Sequence, residues 1–223
     1  MGNILTAENL IFMVKGAGVS LILAVGAVVI GCVIGIVLAS AKLSKVAFFR
    51  FLGSLYVEIV RGTPMLLQIL FFYLGVPVLY QRITGTRMHA DPYIVGLIAL
   101  SVNSGAYQTE LIRAGIQSVD RGQWEAGETL GLPYHVMMKE VILPQAFRYI
   151  IPPLVSEFIT LIKDSSLISS IGAIELLYSA EVLGKEYYDY LDPILIAAVM
   201  YLTLTLITSR IAAHVERRMT LSD

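Results

Sequence analysis

DRGQWEAGETLGLPYHVMMKEVILP, residues Asp120 to Pro144, is the one long charged segment between apolar runs that also carries helix punctuation at both ends. It therefore reads as a structured loop that the apolar remainder of the chain is built to serve. Asp120 is a good N-cap, and Gln123 three residues on has the spacing of a capping box, in which each side chain satisfies an orphan backbone donor at the other residue. Gly131 can take the left-handed conformation that ends a first helix. Pro133 then suits the first position of a second helix, and Pro144 is expected to close it. Both pieces are shorter than the ~12 to 15 residues an isolated helix needs in water, so packing must hold them. Trp124, Met137, Met138 and Val141 are available for that packing. By physics alone, an amphipathic hairpin lying on a membrane surface fits the same residues.

The surrounding sequence sets the environment. The 223 residues are 57% hydrophobic and only 15% charged, with mean hydropathy +0.75, which is too apolar for one ordinary soluble domain and indicates an integral membrane protein. A net charge of -1 and the lack of a basic run interleaved with aromatics argue against nucleic acid as a partner. The single cysteine, Cys32, lies in an apolar run and reads as a small core residue.

Five apolar stretches are candidate spans: 18–41, 54–80, 93–112, 145–171 and 193–215. Residues 1–15 read as a short separate segment along the interface. Gly26, Gly31 and Gly35 offer smooth surface to a neighbouring helix. Pro64 is expected to kink or break the second span, with Glu58 and Arg61 before it spaced as a same-face ion pair. His89, in the polar connection 81–92, has no metal-ligand partner at useful spacing, and 178–192 reads as an acidic loop. With the N-terminus outside, only Lys15, Arg82, Arg87 and Lys185 face the exterior. Most of the other cations, including Lys42, Lys45, Arg50 and Arg121, then lie in the cytoplasm, together with 120–144.

Ionisable groups at membrane depth cost several kcal/mol each by some scales (~3 by translocon insertion) and normally face a partner or a wet cavity. Glu157, Lys163 and Asp164 in the fourth span are such groups. Glu157 and Asp164, seven apart, share a helix face with Thr160 between them, whereas Lys163 points away. Two acids on one face suit a cationic side chain or an α-amino group, so Glu157, Thr160 and Asp164 are the candidate substrate-binding residues. The sequence has no phosphate-binding G-x-x-x-x-G-K-[ST] loop and no nucleophile triad, so neither a catalytic residue nor a cofactor or metal site is assigned.

Glu125-Ala126-Gly127, then Gly131, then Val141-Ile142-Leu143-Pro144 resembles the "EAA" loop of ATP-binding-cassette importer permeases, with its spacing kept and Gly127 in place of the second alanine. In that family the loop docks into a groove on an ATPase subunit. The resemblance therefore implies that Glu125, Ala126, Gly127, Gly131, Leu143 and Pro144 form the ATPase-coupling element. Small Ala126 and Gly127 would also permit close approach of a partner backbone.

Glu58, Arg61, Gly62, Thr63, Pro64 and Gln68, the run from Gly105 to Ser118, and Lys163 to Leu167 resemble the polar amino-acid branch of the same permeases. The resemblance implies one all-α transmembrane permease domain over 1–223, of the type I importer fold, in a bacterial inner membrane. It also implies two ATPase subunits, a second permease subunit, an extracytoplasmic solute-binding protein and a polar or basic amino acid as substrate. Two readings without that resemblance are an ion-coupled transporter or channel, with the acids of the fourth span as a cation site, and a membrane scaffold in which those residues only pair.

Overall fold

The computed structural model describes residues 4–220, with side chains described as far as His214. The basic tail at Arg217 and Arg218 lies outside the described side chains. Eight helices account for almost all of it: α1 Ala7–Leu43, α2 Ala47–Arg61, α3 Met65–Thr84, α4 Pro92–Gln117, α5 Arg121–Thr129, α6 Tyr134–Ile171, α7 Leu176–Tyr187 and α8 Leu191–Thr220. Three of these, α1, α3 and α8, are long and apolar enough to cross a membrane alone, and the α6–α7 pair, bent by 47°, makes a fourth. At 26 residues, roughly 39 Å, α4 is long enough to cross as well. Its composition hides this, because Ser101, Asn103, Ser104, Gln108 and Thr109 are buried polar residues.

Close approach of α1 and α4 makes those polar groups tolerable. Gly31 and Gly35 of α1 lie directly against Gln108: a Cβ built at Gly31 would sit 2.8 Å from its Nε2, and one at Gly35 would sit 2.9 Å from its Cβ. With the backbones so near, Gln108 Nε2 reaches across to donate to the Val28 carbonyl at 3.0 Å and to Ser104 Oγ at 3.0 Å. Ser101 and Thr109 donate to carbonyls one turn back on their own helix. The glycine surface expected on α1 is thus the seat of α4, as small-residue packing in membranes requires.

Several sequence expectations shift. The segment 1–15 is not a separate interfacial helix: α1 begins at Ala7, where Thr6 Oγ1 accepts from Asn9 N at 3.2 Å, and continues without interruption to Leu43. The second span starts later than 54. Gly62 ends α2, Pro64 precedes α3, and the apolar crossing is Met65–Thr84. Pro144 does not close a helix. A wide π turn at Met137–Ile142 runs straight into Leu143–Asp164, with Pro144 in the first turn of that stretch. The same arrangement recurs at Phe71–Gly75 ahead of Pro77. A proline cannot donate to the carbonyl four residues back and its ring presses on that group, so a turn with i→i+5 spacing just before it lets the helix continue.

Candidate functional site

Two places carry the residues singled out by sequence: the break between α2 and α3 with the facing part of α6, and the segment from Asp120 to Pro144.

At the break, Gln68 is the organising side chain. Its Nε2 donates to the carbonyl of Val60 at 2.7 Å, to the Thr63 carbonyl at 3.1 Å and to Thr63 Oγ1 at 2.9 Å, while its Oε1 accepts from Asn103 Nδ2 of α4 at 3.1 Å. Gln68 thereby satisfies carbonyls that the Gly62–Pro64 interruption leaves without helical partners. The cluster borders a cavity of about 370 Å³ lined by Val60, Thr63, Leu67, Phe72 and Val102. Arg61 does not pair with Glu58 as its spacing suggested. Its guanidinium lies 4.9 Å from the centre of the Tyr107 ring on α4, a cation–π contact.

Glu157 is half-buried on α6, with Ser104 of α4 beside it and the charges of Arg61 and Asp164 both acting on its carboxylate. Asp164 is also half-buried, with the charge of Lys163 acting on its carboxylate, while Thr160 is exposed and donates to the Ser156 carbonyl at 3.1 Å. The structure therefore brings together Glu157, Asp164, Arg61, Tyr107 and Ser104 from three helices. Chemically this sets Arg61 near Glu157 and Lys163 near Asp164, with neutral donors beside them, a set that can hold a carboxylate at one end and an ammonium at the other. Ser104 was not picked out from the sequence, because a serine in an apolar run carries no signal until its helical neighbour is known.

Glu175 was also missed. It is fully buried at the N-terminus of α7, where it accepts from Leu177 N and Tyr178 N, from Ser20 Oγ of α1 at 3.2 Å and from Tyr201 Oη of α8 at 2.6 Å. Four donors from three helices satisfy one carboxylate there. Its clue in the sequence was a lone acid in SSIGAIELL, a capping position just before the acidic stretch 178–192, most of which is helix α7 and not the loop expected.

The coupling segment folds as helix, elbow, helix. Asp120 Oδ1 accepts from Gly122 N at 2.7 Å, so the cap forms, but the capping box does not, because Gln123 Oε1 turns away to accept from Gln145 Nε2 at 3.3 Å. Gly131 takes φ +65°, and the bonds Leu132 N to Gly127 O and Gly131 N to Glu128 O, each 3.0 Å, complete a Schellman ending. Pro133 sits one position earlier than expected, as the N-cap of Tyr134–Val136. Met137, Ile142, Ala146, Ile150 and Val119 form a buried cluster, with Trp124, Met138 and Val141 packed against it. This cluster is the hydrophobic backing that the short helices need.

The coupling residues divide by role. Glu125 and Ala126 are exposed, as are Leu130 (76%) and Tyr134 (67%). Gly127 is buried instead, with Met137 Sδ 2.6 Å from the position its Cβ would take, so its smallness serves the elbow and not a partner backbone. Leu143 is half-buried and Pro144 exposed at the start of the long helix.

Residues 31–221 match the family described as binding-protein-dependent transport system inner membrane component. The chain belongs to that family. Among its relatives, the arginine transport system permease protein ArtQ of Bacillus subtilis is 38% identical over 218 residues, covering 98% of this chain and 97% of that one. GlnP of Rickettsia typhi, named for glutamine transport, is 39% identical over 211 residues, 95% and 94% of the two chains. The L-cystine transport permease TcyB of Bacillus subtilis is 40% identical over 192 residues, 86% and 79% of the two. A crystal structure of an amino acid ABC transporter with histidines superposes with a TM-score of 0.87 at 37% identity, covering 95% of each chain. An inward-facing MetNI methionine ABC transporter, at 17% identity and TM-score 0.76 over 96% and 99% of the two chains, shares the fold. This permease is thus an ABC transporter component of the type I importer fold, and the readings as an ion-gradient transporter or a passive scaffold are set aside.

Proposed function

We propose that this permease carries a polar or basic amino acid inward, with Glu157, Asp164 and Arg61 as the recognition set and residues 120–144 as the contact for a separate ATPase subunit. The observation that carries the reading is the division of the coupling segment into a rigid, buried inner face and an exposed outer tip. Glu125, Ala126, Leu130 and Tyr134 present that tip, and Gly127, Gly131, Leu143 and Pro144 shape it. A tip backed by Met137, Ile142 and Ala146 moves with α6, and α6 carries Glu157 and Asp164. Force applied at residue 125 therefore reaches the recognition set through one element.

In this reading two copies of the permease, or this chain and a relative, face each other, two ATPase subunits supply hydrolysis, and an extracytoplasmic binding protein delivers the substrate. The excess of Lys and Arg on the side of 120–144 supports a cytoplasmic coupling segment and an external N-terminus in a bacterial inner membrane. The arginine, glutamine and cystine relatives support the substrate class. Mixing the purified permease with its ATPase in proteoliposomes should give ATP hydrolysis that a loaded binding protein stimulates. Unchanged stimulation in a Glu125→Arg, Leu130→Asp double variant would overturn the coupling role.

A further inference from the structure

Behind the coupling segment lies an apolar cavity of about 470 Å³ between α1, α4 and α6, walled by Cys32, Ile36, Leu111, Phe147 and Leu154 among others. Along α1 it runs from Cys32 to Ser40, eight residues or roughly 12 Å, close to the ~15 Å of hydrocarbon in one leaflet. A second cavity of about 670 Å³ adjoins it and shares three walls, Ser40, Ile116 and Met138. Its other walls are Leu43, Ser44, Lys45 and Tyr134, so a largely apolar surface carries one ammonium and a few hydroxyls, and no acidic residue among the described ones lines it. Lys45 is exposed and makes no ion pair among the described residues. Its neighbours Phe48 and Phe51 are 63% and 62% exposed at the start of α2, as apolar side chains at a membrane interface are.

We propose that these adjoining cavities hold one anionic phospholipid, with an acyl chain in the apolar chamber and the headgroup phosphate at Lys45 and Ser44. The order of the chambers matches the order of a lipid, apolar at membrane depth and cationic at the surface. Three observations favour this occupant over a soluble anion: the apolar chamber shares three walls with the cationic one, its length is most of a leaflet's, and α2 begins beside it with exposed phenylalanines. Met138 and Tyr134 belong to the coupling segment, so the lipid wedges between that segment and the end of α1. This consequence rests on the coupling reading, whereas the binding itself does not.

Trp124 is the only tryptophan and packs in the same cluster as Ile116 and Met138, two of the three residues shared by both chambers. Its fluorescence reports occupancy without any ATPase. The full chain in nanodiscs should be quenched at least threefold more by phosphatidylglycerol brominated on its acyl chains than by brominated phosphatidylcholine at the same mole fraction. Lys45→Gln should equalise the two lipids and Lys45→Arg should keep the preference. Ser40→Leu, which fills the neck, should reduce quenching by the anionic lipid with helical content unchanged. Equal quenching of the unaltered protein by both lipids, an unchanged preference in Lys45→Gln, or loss of the preference on adding inorganic phosphate would each overturn the assignment.

Discussion

Gly127 of α5 lies against Met137 of α6 so tightly that a Cβ at 127 would come within 2.6 Å of the methionine sulfur and 3.0 Å of its Cγ. Methionine is flexible, so Gly127→Ala is accommodated by a small shift of Met137, and the helix gains roughly 0.5–1 kcal/mol from replacing glycine. That variant should keep near-normal thermal stability and ATPase stimulation. Gly127→Val cannot be absorbed in the same way and pries the two helices apart. It should cut stimulation of the assembled transporter several-fold, read in the same hydrolysis assay, with the bulk of the helical signal intact.

At the elbow, Gly131 holds φ +65° with open space around its would-be Cβ, so the cost of a side chain there is backbone strain alone. Gly131→Ala should lower stability by about 1 kcal/mol and Gly131→Asn by less, since asparagine tolerates the left-handed region better. Thermal unfolding in detergent ranks the three. An alanine variant as stable as the unaltered chain would contradict the assigned geometry.

Glu110 sits between two cations, 2.6 Å from Lys42 of α1 and 2.6 Å from Arg113 of its own helix. The pair to Lys42 ties the last turn of α1 to α4. Side-chain exposure of 19% at Glu110 puts the group between the surface and buried regimes, so Glu110→Gln should cost about 1–3 kcal/mol. The lost stability should be smaller in high salt, because the unaltered bridge is itself screened there. Unfolding midpoints of both proteins across a salt series test this.

The sequence conveyed these elements unevenly, for physical reasons. The caps at Asp120 and Gly131 are local chemistry, so they could be read from a few residues. The fate of Pro144 could not, because whether a proline ends a helix depends on the turn before it, and here Met137–Ile142 widens to admit it. Glu58 and Arg61 have the spacing of an ion pair, yet Arg61 goes to Tyr107, a ring supplied by a helix far along the chain. Glu157 and Asp164 could be found as charges in an apolar run. Ser104 could not, since its role exists only when α4 and α6 are set side by side.

For Glu157, the neighbours define the expectation. Ser104, Arg61 and Asp164 act on its carboxylate, so Glu157→Gln keeps the shape and removes the charge opposite Arg61. Hydrogen bonds to charged groups contribute about 1.5–3 kcal/mol, roughly tenfold to hundredfold in affinity. Uptake of a cationic amino acid by the reconstituted transporter should fall by that factor, and uptake of a neutral polar one by less. Equal losses for both substrates would make Glu157 a brace for α6 and remove it from the recognition set.

Glu175 offers the sharpest contrast between a charge and its shape. Its carboxylate is fully buried and accepts from Ser20, Tyr201 and two backbone amides, so it fastens α1 and α8 to the start of α7 with no ion pair to a cation among the described residues. Glu175→Ala leaves those donors without an acceptor, at about 1–3 kcal/mol for each one that water cannot reach, and should prevent accumulation of folded protein in the membrane. Glu175→Gln retains Oε1 for Tyr178 N, leaves Leu177 N facing an NH2 that cannot accept from it, and turns that NH2 towards Ser20 and Tyr201. Their hydroxyls can rotate to accept it, so this variant should fold with a lowered unfolding midpoint. Adding Tyr201→Phe to the Gln variant then removes a group that has already lost its charged acceptor, and should cost less than Tyr201→Phe alone. Additive losses in that double-mutant cycle would show that the two side chains do not share the bond.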